Sequence, residues 1–85
     1  MDYRILIVED DRSVSQALED CLAGWNMEAR TVRDFGNVMG EFRAYAPHLV
    51  LMDIGLPRLD GYQLCREVRA ESAVPVIFIS AAGKT

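Results

Sequence analysis

The feature that most constrains the fold is an uninterrupted apolar run, Leu49 to Met52, that leads directly into Asp53. Apolar residues without alternation predict a strand covered on both faces, as in the parallel sheet of an α/β protein. In such sheets, ligands bind just beyond the carboxyl ends of the strands, which is where Asp53 falls. Gly55 and Pro57 then predict a turn. Taken alone, Asp53 is equally compatible with an ordinary turn residue.

Other stretches complete an alternating pattern of strands and helices. Residues 3–8 and 74–79 are largely apolar and predict two more strands of the sheet interior, whereas residues 27–32 alternate as an exposed edge strand does. Helical spacing of apolar residues predicts three helices: from Asp11 to Gly24, from Asp34 to Pro47, and from Gly61 to Ala70. The resulting order, β-α-β-α-β-α-β, predicts a parallel sheet with right-handed crossovers.

Composition and charge exclude several classes of protein. The 85 residues are 51% hydrophobic, which is enough for one small domain with a modest core. A net charge of −4 offers no basic surface for nucleic acid. We expect a cytoplasmic protein, since no apolar run approaches the length of a membrane span and no signal peptide is evident. Cys21 and Cys65 are expected to be buried, reduced thiols, and Trp25 a packing anchor.

Acidic residues follow two of the predicted strands. Glu9 and Asp10 come after the first and Asp53 ends the third, while Ser80 follows the last. Parallel strands would bring all four side chains to one edge of the sheet. Clustered carboxylates repel one another unless a cation compensates, and Mg²⁺ suits such oxygen ligands. Two further acids, Asp11 and Asp60, are better explained as helix caps.

A carboxylate beside Mg²⁺ predicts phosphoryl chemistry, in which Asp53 attacks phosphorus to give an acyl phosphate and Ser80 donates its hydroxyl to a phosphoryl oxygen. Two other functions fit the same fold. A flavodoxin would place hydroxyls and N–H groups after the first strand, where this chain has acids that repel phosphate. A Mg²⁺-dependent phosphohydrolase would need an acid two residues after Asp53, and Gly55 stands there.

Three ordered motifs resemble the receiver domain of two-component response regulators: Ile7 to Asp11, Leu51 to Gly61, and Val74 to Ala81. The resemblance spans essentially all 85 residues. It implies an α/β, flavodoxin-like, doubly wound parallel sheet with strand order 2-1-3-4. The wording of residues 47–53 and 61–66 is most similar to regulators of the OmpR type, and among those to the subgroup that responds to peptide antibiotics such as bacitracin.

The resemblance also implies a role for each site residue. Asp53 would be the phosphoacceptor from a sensor histidine kinase. Glu9 and Asp10 would bind Mg²⁺ together with Asp53 and the backbone carbonyl of Gly55, and Ser80 would be the switch hydroxyl. The domain would act in signalling rather than as a classical enzyme, and it would control an output domain, of the DNA-binding type, elsewhere in a longer protein.

The chain departs from the receiver pattern after residue 85. The family continues with a helix, a fifth strand carrying a lysine that contacts the phosphoryl group, and a final helix, so residues 1–85 correspond to its N-terminal part. Lys84 follows Ser80 too closely to replace that lysine. We therefore expect the 85-residue chain to be a poor phosphoacceptor and to self-associate through its last strand or uncovered face. An alternative is an interaction module that is not phosphorylated.

Overall fold

Strands and helices alternate along the chain as predicted. The computed structural model describes residues 3–56 and 59–79, so Ser80 and Lys84 lie outside the described residues. The elements are β1 (Arg4–Val8), α1 (Arg12–Gly24), β2 (Glu28–Thr31), α2 (Val38–Tyr45), β3 (Leu49–Asp53), α3 (Gly61–Glu71) and β4 (Val76–Ile79). No helix in these residues is long and apolar enough to cross a membrane.

The sheet has the predicted topology. Its described strands are all parallel and lie in the order β2-β1-β3-β4, which confirms the flavodoxin-like arrangement. Because right-handed crossovers in opposite directions place helices on opposite faces, α1 covers one face while α2 and α3 cover the other. The two central strands, β1 and β3, pair with Val8 opposite Met52, so both end at the same edge of the sheet.

The core forms where the central strands meet α2 and α3. Alternate residues of β1 and β3 contribute Leu6, Val8, Val50 and Met52, each at most 1% exposed. Burying a side chain of this size stabilises a fold by about 1.5–3 kcal/mol. Residues Ile5 and Ile7 are also buried, on the opposite face of β1. Both faces of β1 are thus covered, which accounts for its uninterrupted apolar sequence.

Helix caps hold α1 and α3 at the edge where the strands end. The side chain of Asp11 accepts hydrogen bonds from the N–H groups of Ser13 (2.9 Å) and Val14 (3.4 Å). The side chain of Asp60 accepts hydrogen bonds from the N–H groups of Tyr62 (2.9 Å) and Gln63 (3.3 Å). Both aspartates therefore stabilise helix N-termini, as predicted.

Two predicted boundaries were wrong for local reasons. The second helix begins at Val38 rather than Asp34. The Asp34 side chain instead accepts the N–H of Gly36 (2.9 Å), and the Glu41 carboxylate accepts the N–H of Asp34 (2.7 Å), so the segment forms a turn. Strand β4 begins at Val76 rather than Val74.

Two predictions about side-chain burial also fail. Trp25 is 73% exposed because it lies at the C-terminal cap of α1, where the next residue, Asn26, reverses the chain with φ of 62°. Cys21 is exposed and Cys65 half-buried, although both are free thiols as expected. Helical spacing placed Cys21 on the apolar side of α1, but α1 packs mainly against the short edge strand β2, which covers only part of the helix.

Tyr45 is a polar residue buried between α2 and the sheet. Its hydroxyl has no hydrogen-bond partner among the described residues, and the guanidinium of Arg30 lies 4.7 Å from the ring centroid. Burial, followed by the neighbouring Glu28 carboxylate, raises the pKa of Tyr45 to about 12. In the unfolded chain the phenol ionises near its ordinary value of 10.0. The stability present below pH 10 is therefore lost as the pH rises towards 12.

Replacing Tyr45 by phenylalanine should stabilise the fold. The Tyr45→Phe change removes a buried hydroxyl that lacks a partner, and we expect the free energy of unfolding at pH 7 to rise by about 1 kcal/mol. The loss of stability between pH 10 and 12 should also shrink. Urea unfolding at pH 7, 10 and 12 measures both effects. Tyr62→Phe, which changes an exposed tyrosine, is the neutral control. Destabilisation by Tyr45→Phe would mean that the hydroxyl is bonded in solution.

Candidate functional site

Three carboxylates meet where the two central strands end. Glu9 and Asp10 directly follow β1, and Asp53 is the last residue of β3. One carboxylate oxygen from each residue lies within 4.8 Å of the others. Glu9 and Asp53 are buried, whereas Asp10 is exposed to solvent. The structure therefore brings together three of the residues that the sequence predicted for one site.

Asp53 is held in place by backbone contacts with β4 and with the turn that follows β3. It is 5% exposed, and it pairs with Ile79 of β4 at the end of the ladder. Its Oδ1 atom accepts a hydrogen bond from the N–H of Gly55 at 2.8 Å. A carboxylate can accept further bonds at its other oxygen, so one oxygen is oriented by the turn while the group keeps additional ligand capacity.

Gly55 contributes an interaction that sequence reasoning missed. The prediction used only its carbonyl, whereas the structure also places its N–H against Asp53. A Cβ atom at this position would lie 3.4 Å from Asp53 Oδ1, which is an ordinary van der Waals contact, so the hydrogen bond does not depend on the residue being glycine. The signal was present in the sequence, because an aspartate commonly accepts the N–H two residues later in a turn.

The surroundings of Glu9 raise the pKa of its carboxyl group. Burial raises its pKa above the ordinary value of 4.5, the negative charge of Asp53 raises it further, and the N–H of Asp11, 2.9 Å from Oε2, opposes the shift. A raised pKa in the folded state means that stability present below pH 4.5 is lost as the pH rises through the folded-state pKa. Without a cation, the ionised cluster therefore works against folding near neutral pH.

The donor set fits a hard divalent cation. Two buried carboxylates and one exposed carboxylate supply oxygen ligands, and the exposed side leaves room for water. Mg²⁺ binds in proteins through a few carboxylates while retaining several waters. The cation would also offset the repulsion that raises the pKa of Glu9. The predicted fourth side chain, Ser80, lies outside the described residues; it follows Ile79, which pairs with Asp53.

Removing one charge from the cluster should stabilise the metal-free protein. In Asp53→Asn the amide oxygen can still accept the Gly55 N–H, but the repulsion of Glu9 is lost. We expect the free energy of unfolding in EDTA to rise by on the order of 1 kcal/mol. The stabilisation by added Mg²⁺ should fall. Urea unfolding with and without Mg²⁺ measures both, and Asp20→Asn on the exposed surface of α1 is the control. Equal destabilisation of Asp53→Asn in EDTA and in Mg²⁺ would contradict the repulsion.

Known proteins are similar to this chain in sequence and in fold. The sensory transduction protein BceR of Bacillus subtilis (strain 168) is 38% identical over 78 residues, covering 92% of this chain and 34% of BceR. The chain thus spans about a third of the length of that relative. A lantibiotic response regulator, the N-terminal domain of the nisin resistance regulator NsrR, superposes with a TM-score of 0.88 at 38% identity, covering 94% of this chain and 68% of that one.

Two further matches agree with these. A chain in the crystal structure of the histidine kinase ThkA in complex with the response regulator protein TrrA superposes with a TM-score of 0.82 at 25% identity, covering 93% of this chain and 69% of that chain. Residues 5–85 match the response regulator receiver domain as a family. Together with the parallel 2-1-3-4 sheet and the acidic cluster, these matches establish that the chain belongs to the response regulator receiver domain family.

Proposed function

We propose that this receiver domain accepts a phosphoryl group on the carboxylate of Asp53 in a Mg²⁺-dependent reaction. The observation that carries the proposal is the position of Asp53, buried at the end of a central strand with its carboxylate within 4.8 Å of those of Glu9 and Asp10. In an open α/β sheet, this edge is where ligands bind. The donor would be the phosphohistidine of a sensor histidine kinase, a partner class that the kinase–regulator complex of TrrA supports.

Some residues of the site would bind the metal ion, and Asp53 would also attack the phosphorus atom. Glu9, Asp10, Asp53 and the Gly55 carbonyl would hold Mg²⁺, which when bound supplies positive charge that offsets the charge of the transferring group. An oxygen of Asp53 forms the new O–P bond as the P–N bond to the donor imidazole breaks, and the imidazole retains the bonding electrons and takes up a proton. The Gly55 N–H, 2.8 Å from Oδ1, orients the attacking carboxylate.

We further propose a role for Ser80, an output domain and a subgroup of response regulators. Ser80 would donate its hydroxyl to the phosphoryl group as a switch residue. Because the chain spans 34% of BceR, we also propose a cytoplasmic regulator whose DNA-binding output domain lies elsewhere in a longer protein. The similarity to a nisin resistance regulator favours the OmpR-type subgroup that responds to peptide antibiotics.

Intact-mass spectrometry after exposure to phosphoramidate tests the phosphoacceptor. We expect a hydroxylamine-labile phosphoryl adduct that requires Mg²⁺, is present in wild type and Asp20→Ala, and is absent in Asp53→Ala. Its yield should be low in the 85-residue chain, because the receiver-family lysine that neutralises the phosphoryl group is not among these residues. An adduct of equal yield in Asp53→Ala would overturn the assignment of Asp53.

A second function, self-association, is favoured by the outer strand of the sheet. In β4, Ile77 is 50% exposed and Phe78 is 36% exposed. The Phe78 ring packs on the exposed Tyr62 ring, with the ring centroids 5.1 Å apart. Exposed apolar edge strands are prone to pair with other chains. We propose that two copies of the 85-residue chain associate through β4, whether or not Asp53 is phosphorylated.

Light scattering over a range of concentrations tests self-association. We expect the mean mass of the wild-type 85-residue chain to increase with concentration. Ile77→Lys should raise the dissociation constant of the dimer by about tenfold or more, since a charge replaces buried apolar area. Trp25→Lys, which changes a more exposed residue outside β4, serves as the matched control. A wild-type chain that stays monomeric throughout would refute the proposal without affecting the role of Asp53.

A further inference from the structure

Asp11 connects the acidic cluster to the first turn of α1. It follows Asp10 directly, and its backbone N–H donates a hydrogen bond to Glu9 Oε2 at 2.9 Å. Asp11 is also the N-cap residue of α1, so its side chain accepts hydrogen bonds from the helix. The same residue therefore contacts a candidate metal ligand through its backbone and a helix through its side chain.

The hydrogen bonds to α1 fix the backbone of Asp11. Its Oδ1 atom accepts from the N–H of Ser13 (2.9 Å), the hydroxyl of Ser13 (2.7 Å) and the N–H of Val14 (3.4 Å). The carbonyl oxygen of Asp11 accepts the N–H of Ser15 at 2.9 Å. Because the N–H lies in a rigid peptide plane that includes the Cα atom of Asp11, holding this residue on the helix also aims its N–H at Glu9.

Helix α1 is itself anchored to the rest of the fold beyond its first turn. Ser15 is 3% exposed, and the Glu19 carboxylate accepts a hydrogen bond from the hydroxyl of Thr31 on β2. The helix is therefore a fixed support for Asp11. Loss of the cap should loosen the first turn and leave the docking of α1 on the sheet in place.

The bond from Asp11 restricts a side chain that is otherwise long and adaptable. A glutamate has one more rotatable bond than an aspartate, so its carboxylate loses more freedom when it binds a metal ion. Among the described residues, the N–H group that bonds to the Glu9 carboxylate is that of Asp11. This bond holds one oxygen and leaves the other for a ligand. Hydrogen bonds of this kind orient the ligands of metal sites and raise their affinity.

We propose that Asp11 is a positioning residue, which raises the Mg²⁺ affinity of the acidic cluster by capping α1 and thereby holding the Glu9 carboxylate in place. The capping oxygen of Asp11, rather than its negative charge, produces the effect. The inference rests on the Mg²⁺ site of the proposed function, and it adds a residue outside the groups that would hold the ion.

Asp60 offers a matched control because it caps another helix in the same way. Its Oδ1 atom accepts the N–H groups of Tyr62 (2.9 Å) and Gln63 (3.3 Å), which are nearly the distances found at Asp11. The hydrogen bond to Glu9 is specific to Asp11 among the described residues. Asp60→Ala therefore removes an equivalent helix cap and leaves the support of Glu9 unchanged.

Titration of the ¹⁵N-labelled 85-residue chain with MgCl₂ at constant ionic strength tests the proposal. We expect Asp11→Ala to raise the dissociation constant for Mg²⁺ by about tenfold. Asp60→Ala and Asp11→Asn should stay within about twofold of wild type, because asparagine still caps a helix. An equal loss in Asp11→Asn and Asp11→Ala would assign the effect to charge and overturn the proposal. Equal affinity of Asp11→Ala and wild type would overturn this inference alone, whereas a wild-type chain that does not bind Mg²⁺ would overturn the metal site as well.

A double-mutant cycle tests whether Asp11 acts through Glu9. In Glu9→Ala the positioned carboxylate is absent, so adding Asp11→Ala should cause no further loss of Mg²⁺ affinity. The same loss in both backgrounds would show that the cap acts on the whole domain, and it would overturn the proposal. Should Asp11→Ala disturb folding, Asp11→Gly gives the same comparison, because glycine is tolerated at N-cap positions but has no capping oxygen.

Discussion

Burial of the core-facing side chains of β1 and β3 is the interaction on which the rest of the structure depends, because it holds three mutually repelling carboxylates within 4.8 Å of one another. Two of them, Glu9 and Asp53, are buried, so water screens their charges poorly. The cluster persists because its residues follow β1 and β3, whose core-facing side chains are almost fully buried. At about 1.5–3 kcal/mol for each buried side chain, the core outweighs a repulsion on the order of 1 kcal/mol. A folded domain is thereby left poised to bind a cation.

Backbone hydrogen bonds then decide how the acids are oriented. Glu9 accepts the N–H of Asp11, and Asp53 accepts the N–H of Gly55. Both donors belong to the turns that follow the central strands, so turn geometry and carboxylate geometry are coupled. Such preorganised groups reduce the reorganisation that phosphoryl transfer would require. The receiver fold of this family therefore positions the site through its strands and its turns together.

The two edges of the described sheet differ in chemistry. At the β2 edge, α1 contributes polar side chains, and acidic and basic residues alternate along the lining. At the β4 edge, the apolar side chains of Ile77 and Phe78 are exposed. The central strands β1 and β3 separate these two edges, and the acidic cluster lies where the central strands end.

The sequence by itself determined the order of elements, the parallel sheet, both aspartate caps and the meeting of Glu9, Asp10 and Asp53, because apolar runs and strand ends are local patterns with one compact solution. Only the tertiary structure decided the late start of α2, the exposure of Trp25 and the buried hydroxyl of Tyr45. Each of these depends on residues distant in the chain or on competing side-chain hydrogen bonds. The space between α1 and the edge of β2 has the same origin, since no periodicity in the sequence specifies the gap between a helix and a strand edge.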